Sequence, residues 1–371
     1  MENAADENWQ VLLSLFPGQW REQAVETGAV ARLRGFSSAE SLLRTLLLHI
    51  ARGFSLRETV VQAKLANLAS VSDVALLKRL RNSEEWLRSL CLDLLRENGM
   101  ALPQDKTASR FRVVDGTIVK EPGKTGSQWR ILYSLHLPTL VCDFFEMTPS
   151  EGQGTGESFR RLPVRPRELI LGDAGYWSAA GIEFVHRQGA DVLVRVNPQS
   201  FVAVSPKGRR VGLLSRVRRL SQPGQMGEWP VILQGQESRV AGRVCALRKS
   251  EHAIRQAHRR LERKASKKQT KTKPETLEYA KYVIVFTTQP TAAAAQILEW
   301  YRLRWQIELV FKRLKTLAQL GHLPKHDQRS SRAWLYGKLF VALLTQKLIR
   351  VGRDISPWGY EFHHPASQSL A

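Results

Sequence analysis

The sequence predicts an α/β fold in which a mixed sheet is flanked by helices, preceded by an all-helical N-terminal region and joined to a second β-rich block. Three observations support this prediction. Apolar residues recur every three or four positions up to about residue 100, β-rich runs replace them near residue 111, and strand and helix patterns alternate after that. Strands followed by strand–helix–strand units are typical of a mixed sheet with helices packed on it.

Residues 1–105 are predicted to form the helical N-terminal domain. The segment 74–95 has the apolar spacing of an amphipathic helix. The segment 56–81 indicates two short helices around a turn, with Ser72 or Asp73 as an N-cap. This pair fits a helix-turn-helix that enters a major groove, and it fits an ordinary helical bundle equally well.

Residues 106–199 contain the first predicted strands of the sheet. Glycine, lysine and proline residues separate these β-rich runs, and a polar, glycine-rich loop at 149–158 follows the third run. The predicted elements are, in order, strands at 111–119, 129–137 and 139–147, a strand at 168–173, a helix near 178–188 and a strand at 191–196.

Residues 200–288 form a second β-rich block, which has many Val, Leu and Arg residues and turns marked by Gly and Pro. Its last strand is predicted at 280–288. Residues 289–350 are predicted to be mainly helical, and 351–371 form a C-terminal tail. The helices of this part are predicted at about 291–319 and 330–350.

The charge of the chain predicts a polyanionic partner. The 371 residues include 56 Lys and Arg against 34 Asp and Glu, a net charge of +22, and nucleic acid is the commonest polyanion in a cell. Nine of these cations and one acid lie in 255–273. Such a run is usually a solvated helix face or linker, but in so basic a chain we favour contact with DNA phosphates. The residues assigned to this contact are Arg259, Arg260, Arg263, Lys264, Lys267 and Lys268.

Other features of the sequence predict a cytoplasmic protein that is not in a membrane. The most apolar windows, 42–50 and 337–349, fall short of the ~18–20 apolar residues that a membrane span needs. The acidic, polar start predicts no secretory signal. Cys91, Cys142 and Cys245 are odd in number and far apart, which indicates a reducing compartment.

The segment 301–315 carries four chemically useful side chains at helical spacing. If the helix is continuous, Tyr301, Arg304, Glu308 and Lys315 fall within an arc of about 60°. This stripe combines a carboxylate that can bind metal with groups suited to phosphate. A salt-bridged surface stripe would have the same pattern.

Two aspartates complete a set of carboxylates with Glu308. Asp115 lies in an Asp-Gly pair between apolar runs, which is also a hairpin-turn signal. Asp173 follows a buried-type strand, where it could instead cap the next helix. Together, two aspartates on neighbouring strands and a glutamate on an adjacent helix can hold two Mg²⁺ ions, as nucleases and polynucleotide transferases do.

These motifs resemble those of the DDE transposases of bacterial insertion sequences, specifically the Insertion Sequence 4 family. That family is marked by Y-x2-R-x3-E-x6-K on a helix, and all four positions are matched here. The contexts VVDGT and WRILYSLHL around Asp115 and GDAGYWS around Asp173 are also similar to the family. The resemblance covers roughly 105–345.

The resemblance implies an RNase H-like catalytic core, made of 106–199 and 289–350, that is interrupted by the β-rich insertion 200–288. Asp115, Asp173 and Glu308 would be the catalytic carboxylates and would bind two Mg²⁺ ions, for which Mn²⁺ could substitute. The residues implied to contact DNA near the cleaved end are Tyr301, Arg304 and Lys315. Lys312, a further cation of the same segment, is assigned to the same contact.

The resemblance also implies a cut-and-paste reaction on double-stranded DNA. Water nicks one strand at the element's end, and the freed 3′-OH attacks the opposite strand to form a hairpin. The hairpin is opened, and the 3′-OH then joins target DNA. The family extrudes a base during hairpin formation and stacks it on an aromatic side chain. No residue is assigned to this role. Trp229, Tyr279 and Tyr282 lie in or beside the insertion but could equally be core residues, and Trp300 and Trp305 flank the signature, where packing is the favoured role.

Cutting and joining two ends implies a homodimer in a synaptic complex. The N-terminal helices would recognise the terminal inverted repeats, and the protein would be a bacterial, nucleoid-associated one. Two alternatives use the same residues. One is an RNase H-like metal-dependent nuclease without strand transfer, and the other is an inactive relative that only binds DNA.

Overall fold

The order of helices and strands largely follows the sequence prediction. The computed structural model describes residues 4–100, 110–120, 128–137, 141–152, 154–305, 307, 308, 323 and 327–355. Within them, the α-helices are α1 (Ala4–Ser14), α2 (Trp20–Glu26), α3 (Ala39–Arg52), α4 (Leu56–Leu65), α5 (Asp73–Asn82), α6 (Glu84–Met100), α7 (Ala179–Arg187), α8 (Leu213–Val217), α9 (Glu251–Lys267), α10 (Pro274–Ala280), α11 (Ala294–Arg302) and α12 (Gln328–Ile355). The strands are β1 (Arg110–Lys120), β2 (Gln128–Leu137), β3 (Val141–Pro149), β4 (Glu168–Gly172), β5 (Asp191–Arg195), β6 (Ala203–Val204), β7 (Met226–Gln234), β8 (Arg239–Arg248) and β9 (Tyr282–Thr287).

Serine residues begin several of the N-terminal helices. Ser38 and Ser55 each form a capping box with the residue three positions later, so their helices start with satisfied backbone N–H groups. The Ser72 side chain accepts a hydrogen bond from the Ala75 N–H at the start of α5. The predicted pair of short helices is therefore present as α4 and α5, and its use as a helix-turn-helix stays a prediction.

One mixed sheet runs through the described part of the chain. Its strand order is β3-β2-β1-β4-β5-β9-β8-β7-β6. The first three strands are antiparallel, β4 is parallel to β1, and β5 is parallel to β4. From β5 to β6 every pairing is antiparallel. The β-rich block at 200–288 therefore extends the same sheet, because β9 pairs with β5.

Alternating residues of the central strands face two separate apolar cores. Val113 and Leu171 belong to a core that includes residues of α3, α6 and α12. Their neighbours Val114 and Ile170 belong to a second core that includes residues of α7, β7 and β8. Helix α12 packs on α6, α3 and α5, so the N-terminal helices and the last helix cover one face together. The predicted fold, a mixed sheet flanked by helices, is confirmed.

The prediction of one continuous helix at 291–319 is wrong, because the helix is interrupted after Arg302. Helix α11 ends at Arg302, and the next N–H groups bond three residues back: Arg304 to the Tyr301 carbonyl (3.1 Å) and Ile307 to the Arg304 carbonyl (3.2 Å). Tyr301 and Ile307 are both buried in the first core. In a straight helix they would lie about 120° apart, and the tight turn lies between them.

The described residues bear on two expectations, that the chain does not span a membrane and that its cysteines are reduced. None of the described helices is long and apolar enough to cross a membrane. Cys91, Cys142 and Cys245 are free thiols, and all three are buried. A cytoplasmic location stays a prediction.

Candidate active site

The two predicted aspartates lie side by side at one edge of the parallel strand pair. The last registered pair of β1 and β4 is Val113 opposite Leu171. Asp115 and Asp173 each follow two residues later, so the parallel register carries both to neighbouring positions. The charge of Asp173 acts on Asp115, in agreement with this placement.

The structure also decides the local alternatives for these aspartates. Asp115 does not lie in a hairpin turn, because β1 continues to Lys120 and Asp115 is paired with Tyr133 of β2. Asp173 does act as a cap, since its Oδ1 accepts a 2.8 Å hydrogen bond from the Gly175 N–H. That bond holds the carboxylate next to Asp115 and fixes its direction.

A third carboxylate, Glu157, lies between the two aspartates and was missed from the sequence. A Cβ atom on Gly116 would lie 2.6 Å from Glu157 Oε1, and a Cβ on Gly175 would collide with Glu157 Oε2. Glu157 is also paired with Arg130 of β2 at 3.0 Å. The available signal was a glycine next to Asp115 and another two residues after Asp173, which together leave room for a side chain from elsewhere.

Burial and mutual repulsion affect the titration of these acids. Burial raises the pKa of Asp115 to about 7, and the charges of Asp173 and Glu157 raise it too, against the Gly116 N–H and Arg304. Burial and Asp173 raise the pKa of Glu157, while Arg130 lowers it. Raised carboxyl pKa values are typical of sites where carboxylates bind a cation or exchange a proton.

Glu308 is linked to this region by its ion pair with Arg304. The Arg304 guanidinium is paired with the Glu308 carboxylate, and its Cζ lies 5.8 Å from the ring centre of Tyr301. Arg304 also lowers the pKa of Asp115, so its positive charge acts on Asp115 as well as on Glu308. The Glu308 side chain is 56% exposed. Lys312 and Lys315, the other predicted DNA contacts, lie outside the described residues.

No three side chains with metal-binding atoms converge on a single point in the residues described. Asp115, Asp173 and Glu157 are close enough to influence one another, but their like charges oppose closer approach without a cation. Carboxylate oxygens are hard donors, which suits Mg²⁺ or Mn²⁺. The donor set therefore fits a divalent cation, provided that the side chains close around it.

A basic, partly aromatic cavity adjoins the site. Its volume is about 1060 Å³, and its lining includes Tyr301 and Arg304. Burial, Arg195 and Arg260 lower the pKa of Lys249, another lining residue, to about 8. Helix α9, which carries Arg260, therefore lies near the cavity. The cavity is also lined by Arg195, Trp300 and Trp305.

Helix α9 presents its cations to solvent. Ile254 is buried, whereas the six cations assigned to phosphate contact are exposed. This arrangement suits both a solvated helix face and a DNA-binding surface, so phosphate contact stays a prediction. The exposed residues are Arg259, Arg260, Arg263, Lys264, Lys267 and Lys268.

Comparisons with known proteins agree with the geometry of the site. A family model described as the transposase DDE domain matches residues 106–344. The chain is 32% identical over 365 residues to the putative transposase InsL of insertion sequence element IS186A from Escherichia coli K12, covering 96% of this chain and 97% of that protein. It is 31% identical to the transposase of IS421 from Escherichia coli, with the same two shares covered. The transposase of IS231B from Bacillus thuringiensis subsp. berliner is 24% identical, covering 89% of this chain and 77% of that protein.

Proposed function

Because the chain belongs to the family of transposase DDE domains, we propose that it is the transposase of a bacterial insertion sequence. It cuts the element at its terminal inverted repeats and joins the 3′ ends to target DNA. The observation that carries this proposal is the parallel register of β1 and β4, which supports Asp115 and Asp173 as neighbours, while the charge of Arg304, the partner of Glu308, also acts on Asp115.

In this proposal Asp115, Asp173 and Glu308 bind two Mg²⁺ ions, with Mn²⁺ as a substitute. When bound, such ions stabilise the attacking and leaving oxygens of an in-line displacement. Asp173 keeps its orientation through the Gly175 N–H. Glu308 must leave or share its pair with Arg304, which frees the guanidinium for a DNA phosphate.

Cations around the carboxylates bind the DNA in this proposal. Arg304 contacts the phosphates at the cleaved end, and the exposed cations of α9 bind the flanking duplex. Tyr301 is assigned to the same phosphates from the family signature, and its buried hydroxyl must become exposed to reach them. Lys315, outside the described residues, is assigned the same role as Tyr301 and Arg304 from the family signature. Lys312, also outside them, is a further cation of the same segment and is assigned the same role.

The finer features of the proposed reaction are those that the family resemblance implies. The strand freed at the end attacks its complement to form a hairpin, and the extruded base enters the cavity that Trp300, Trp305 and Arg304 line. A homodimer holds two ends in one synaptic complex. The N-terminal domain, 1–105, recognises the terminal repeats.

A cleavage assay on the full chain tests this function. Labelled duplexes that carry the inverted repeats flanking the gene are incubated with the wild type and with Glu308→Ala, with and without Mg²⁺. Because the displacement needs cation and carboxylate together, we expect nicked, hairpin and joined products from the wild type with metal. Glu308→Ala should lose roughly a thousandfold or more in rate.

Each other outcome points to a different protein. Nicks that are never followed by hairpin or joined products would identify a metal-dependent nuclease. DNA binding without a metal-dependent product, in wild type as in Glu308→Ala, would identify a DNA-binding protein without this chemistry.

A further inference from the structure

Glu157 enters the site from a loop that the family signature does not include. The loop connects β3 to a short 3₁₀ turn at Phe159–Arg161. From there the Glu157 side chain occupies the space that side chains at positions 116 and 175 would need. Glycine at both positions is therefore required for the carboxylate to reach its place between Asp115 and Asp173.

The two oxygens of Glu157 have different surroundings. Oε1 accepts a hydrogen bond from Arg130 at 3.0 Å. Oε2 lies beside the point where a Gly175 Cβ would be, and Asp173 Oδ1 lies 3.0 Å from that same point. Arg130 therefore neutralises part of the Glu157 charge, while a second carboxylate lies near its other oxygen.

A buried hydroxyl also faces these carboxylates without a partner. Tyr176 is 1% exposed, and its hydroxyl makes no hydrogen bond within the described part of the chain. The charges of Glu157, Asp115 and Asp173 all act on it, which places it beside the three carboxylates. An unsatisfied buried hydroxyl is costly, and a cation with its water shell would give it a partner.

We propose that Glu157 is a fourth carboxylate of the metal site and binds a divalent cation, directly or through one of its waters, together with Asp115 and Asp173. This proposal rests on the function proposed above. Three half-buried carboxylates repel one another, and a divalent cation is the ligand that turns this repulsion into binding. Glu308, which is now paired with Arg304, is not among the carboxylates whose charge acts on Glu157 in this arrangement.

Binding of Mn²⁺ to the full chain, measured by electron paramagnetic resonance of the free ion, tests this role without any DNA cleavage. We expect Glu157→Gln to weaken Mn²⁺ binding about tenfold to a hundredfold, the usual cost of losing a group that holds a metal or its ligands. The matched control is Glu151→Gln, which removes the same charge from an exposed position in the same loop and should leave the affinity unchanged.

A second variant separates metal binding from anchoring of the loop. Arg130→Gln breaks the same ion pair but leaves the Glu157 charge in place. If Glu157 binds the cation, this variant should hold Mn²⁺ at least as tightly as the wild type. If Glu157 only anchors the loop, both variants should weaken Mn²⁺ binding equally and lower the melting temperature together, which would overturn the proposal.

Asp115→Asn distinguishes failure of this proposal from failure of the proposed function. Mn²⁺ binding that is lost in Asp115→Asn but unchanged in Glu157→Gln would refute the role of Glu157 and leave the predicted metal site intact. Mn²⁺ binding that is unaffected by Asp115→Asn, or absent from the wild type, would contradict the metal site itself and the Glu157 proposal with it.

Discussion

Strand β1 carries two charged clusters only three residues apart, and they differ in how their charges are balanced. The first, the Arg112 cluster, consists of Arg112, Asp143 and Glu168, and all three side chains are less than 5% exposed. The Arg112 guanidinium lies 2.8 Å from Asp143 and 2.9 Å from Glu168. It also donates to the Pro163 carbonyl and to the Ser134 hydroxyl. The two carboxylates of this cluster share one guanidinium, and each has a further donor inside the protein: the Ser134 hydroxyl for Asp143 and the Arg165 N–H for Glu168.

The second, the Asp115 cluster, consists of three carboxylates, Asp115, Glu157 and Asp173, and has no guanidinium that all of them share. Its nearby cations are Arg130, which pairs with Glu157, and Arg304, which pairs with the exposed Glu308. The same strand therefore serves two purposes. Carboxylates that have all their partners inside the fold stabilise it, whereas carboxylates without a shared guanidinium form a site for a cation from outside.

Breaking the Arg112 cluster should have the largest effect on stability. Arg112→Met leaves two buried carboxylates without their cation, so we expect the free energy of unfolding to fall by about 3–5 kcal/mol in urea titrations. Arg302→Met, which breaks the exposed pair with Glu299, is the control and should cost less than about 1 kcal/mol. Equal losses in the two variants would contradict the difference drawn between buried and exposed pairs.

Removing a charge from the Asp115 cluster should increase the free energy of unfolding, whereas breaking the Arg112 cluster lowers it. The raised pKa of Asp115, about 7, means that ionisation of this carboxyl favours the unfolded chain as the pH rises from about 4 to 7. Asp115→Asn removes that penalty. In EDTA, we expect the variant to be more stable than the wild type at pH 8 by up to about 4 kcal/mol, the free-energy equivalent of raising the pKa from about 4 to about 7.

The pH dependence checks the cause of this gain. Below about pH 4 the carboxyl is protonated in both folded and unfolded chains, so the difference should disappear there. Urea titrations at pH 5 and pH 8 should therefore show a growing advantage for Asp115→Asn. A constant difference at both values would mean that the ionisation of Asp115 is not its source.

The sequence was sufficient to predict the elements that carry local patterns. β-rich runs separated by breaks predicted β1, β2 and β3, and the pattern at 178–188 predicted α7. The Arg304–Glu308 contact agrees with the alternative interpretation of the Y-x2-R-x3-E spacing, a salt-bridged surface stripe, and it is present although the helix is interrupted. These features depend on residues a few positions apart, and for this reason they can be read from the chain.

Features that depend on distant contacts could not be predicted. The turn after Arg302 lies between Tyr301 and Ile307, which both reach one core, and only the folded packing defines that core. Asp115-Gly116 looked like a hairpin turn, but the glycine is needed because the Glu157 side chain fills the place of a Cβ there. The role of Glu157 depends on how a loop folds back on β1 and β4, and no spacing in the sequence records that.

Cleavage of the protein backbone by bound Fe²⁺ tests most directly whether the Asp115 cluster holds a cation. Fe²⁺ replaces Mg²⁺ at oxygen sites, and peroxide then generates radicals that cut the chain close to the ion. We expect cuts beside Asp115, Glu157 and Asp173, suppressed by excess Mg²⁺ and lost in Asp115→Asn. Cuts confined to other segments, or cuts at these positions that persist in Asp115→Asn, would contradict the account.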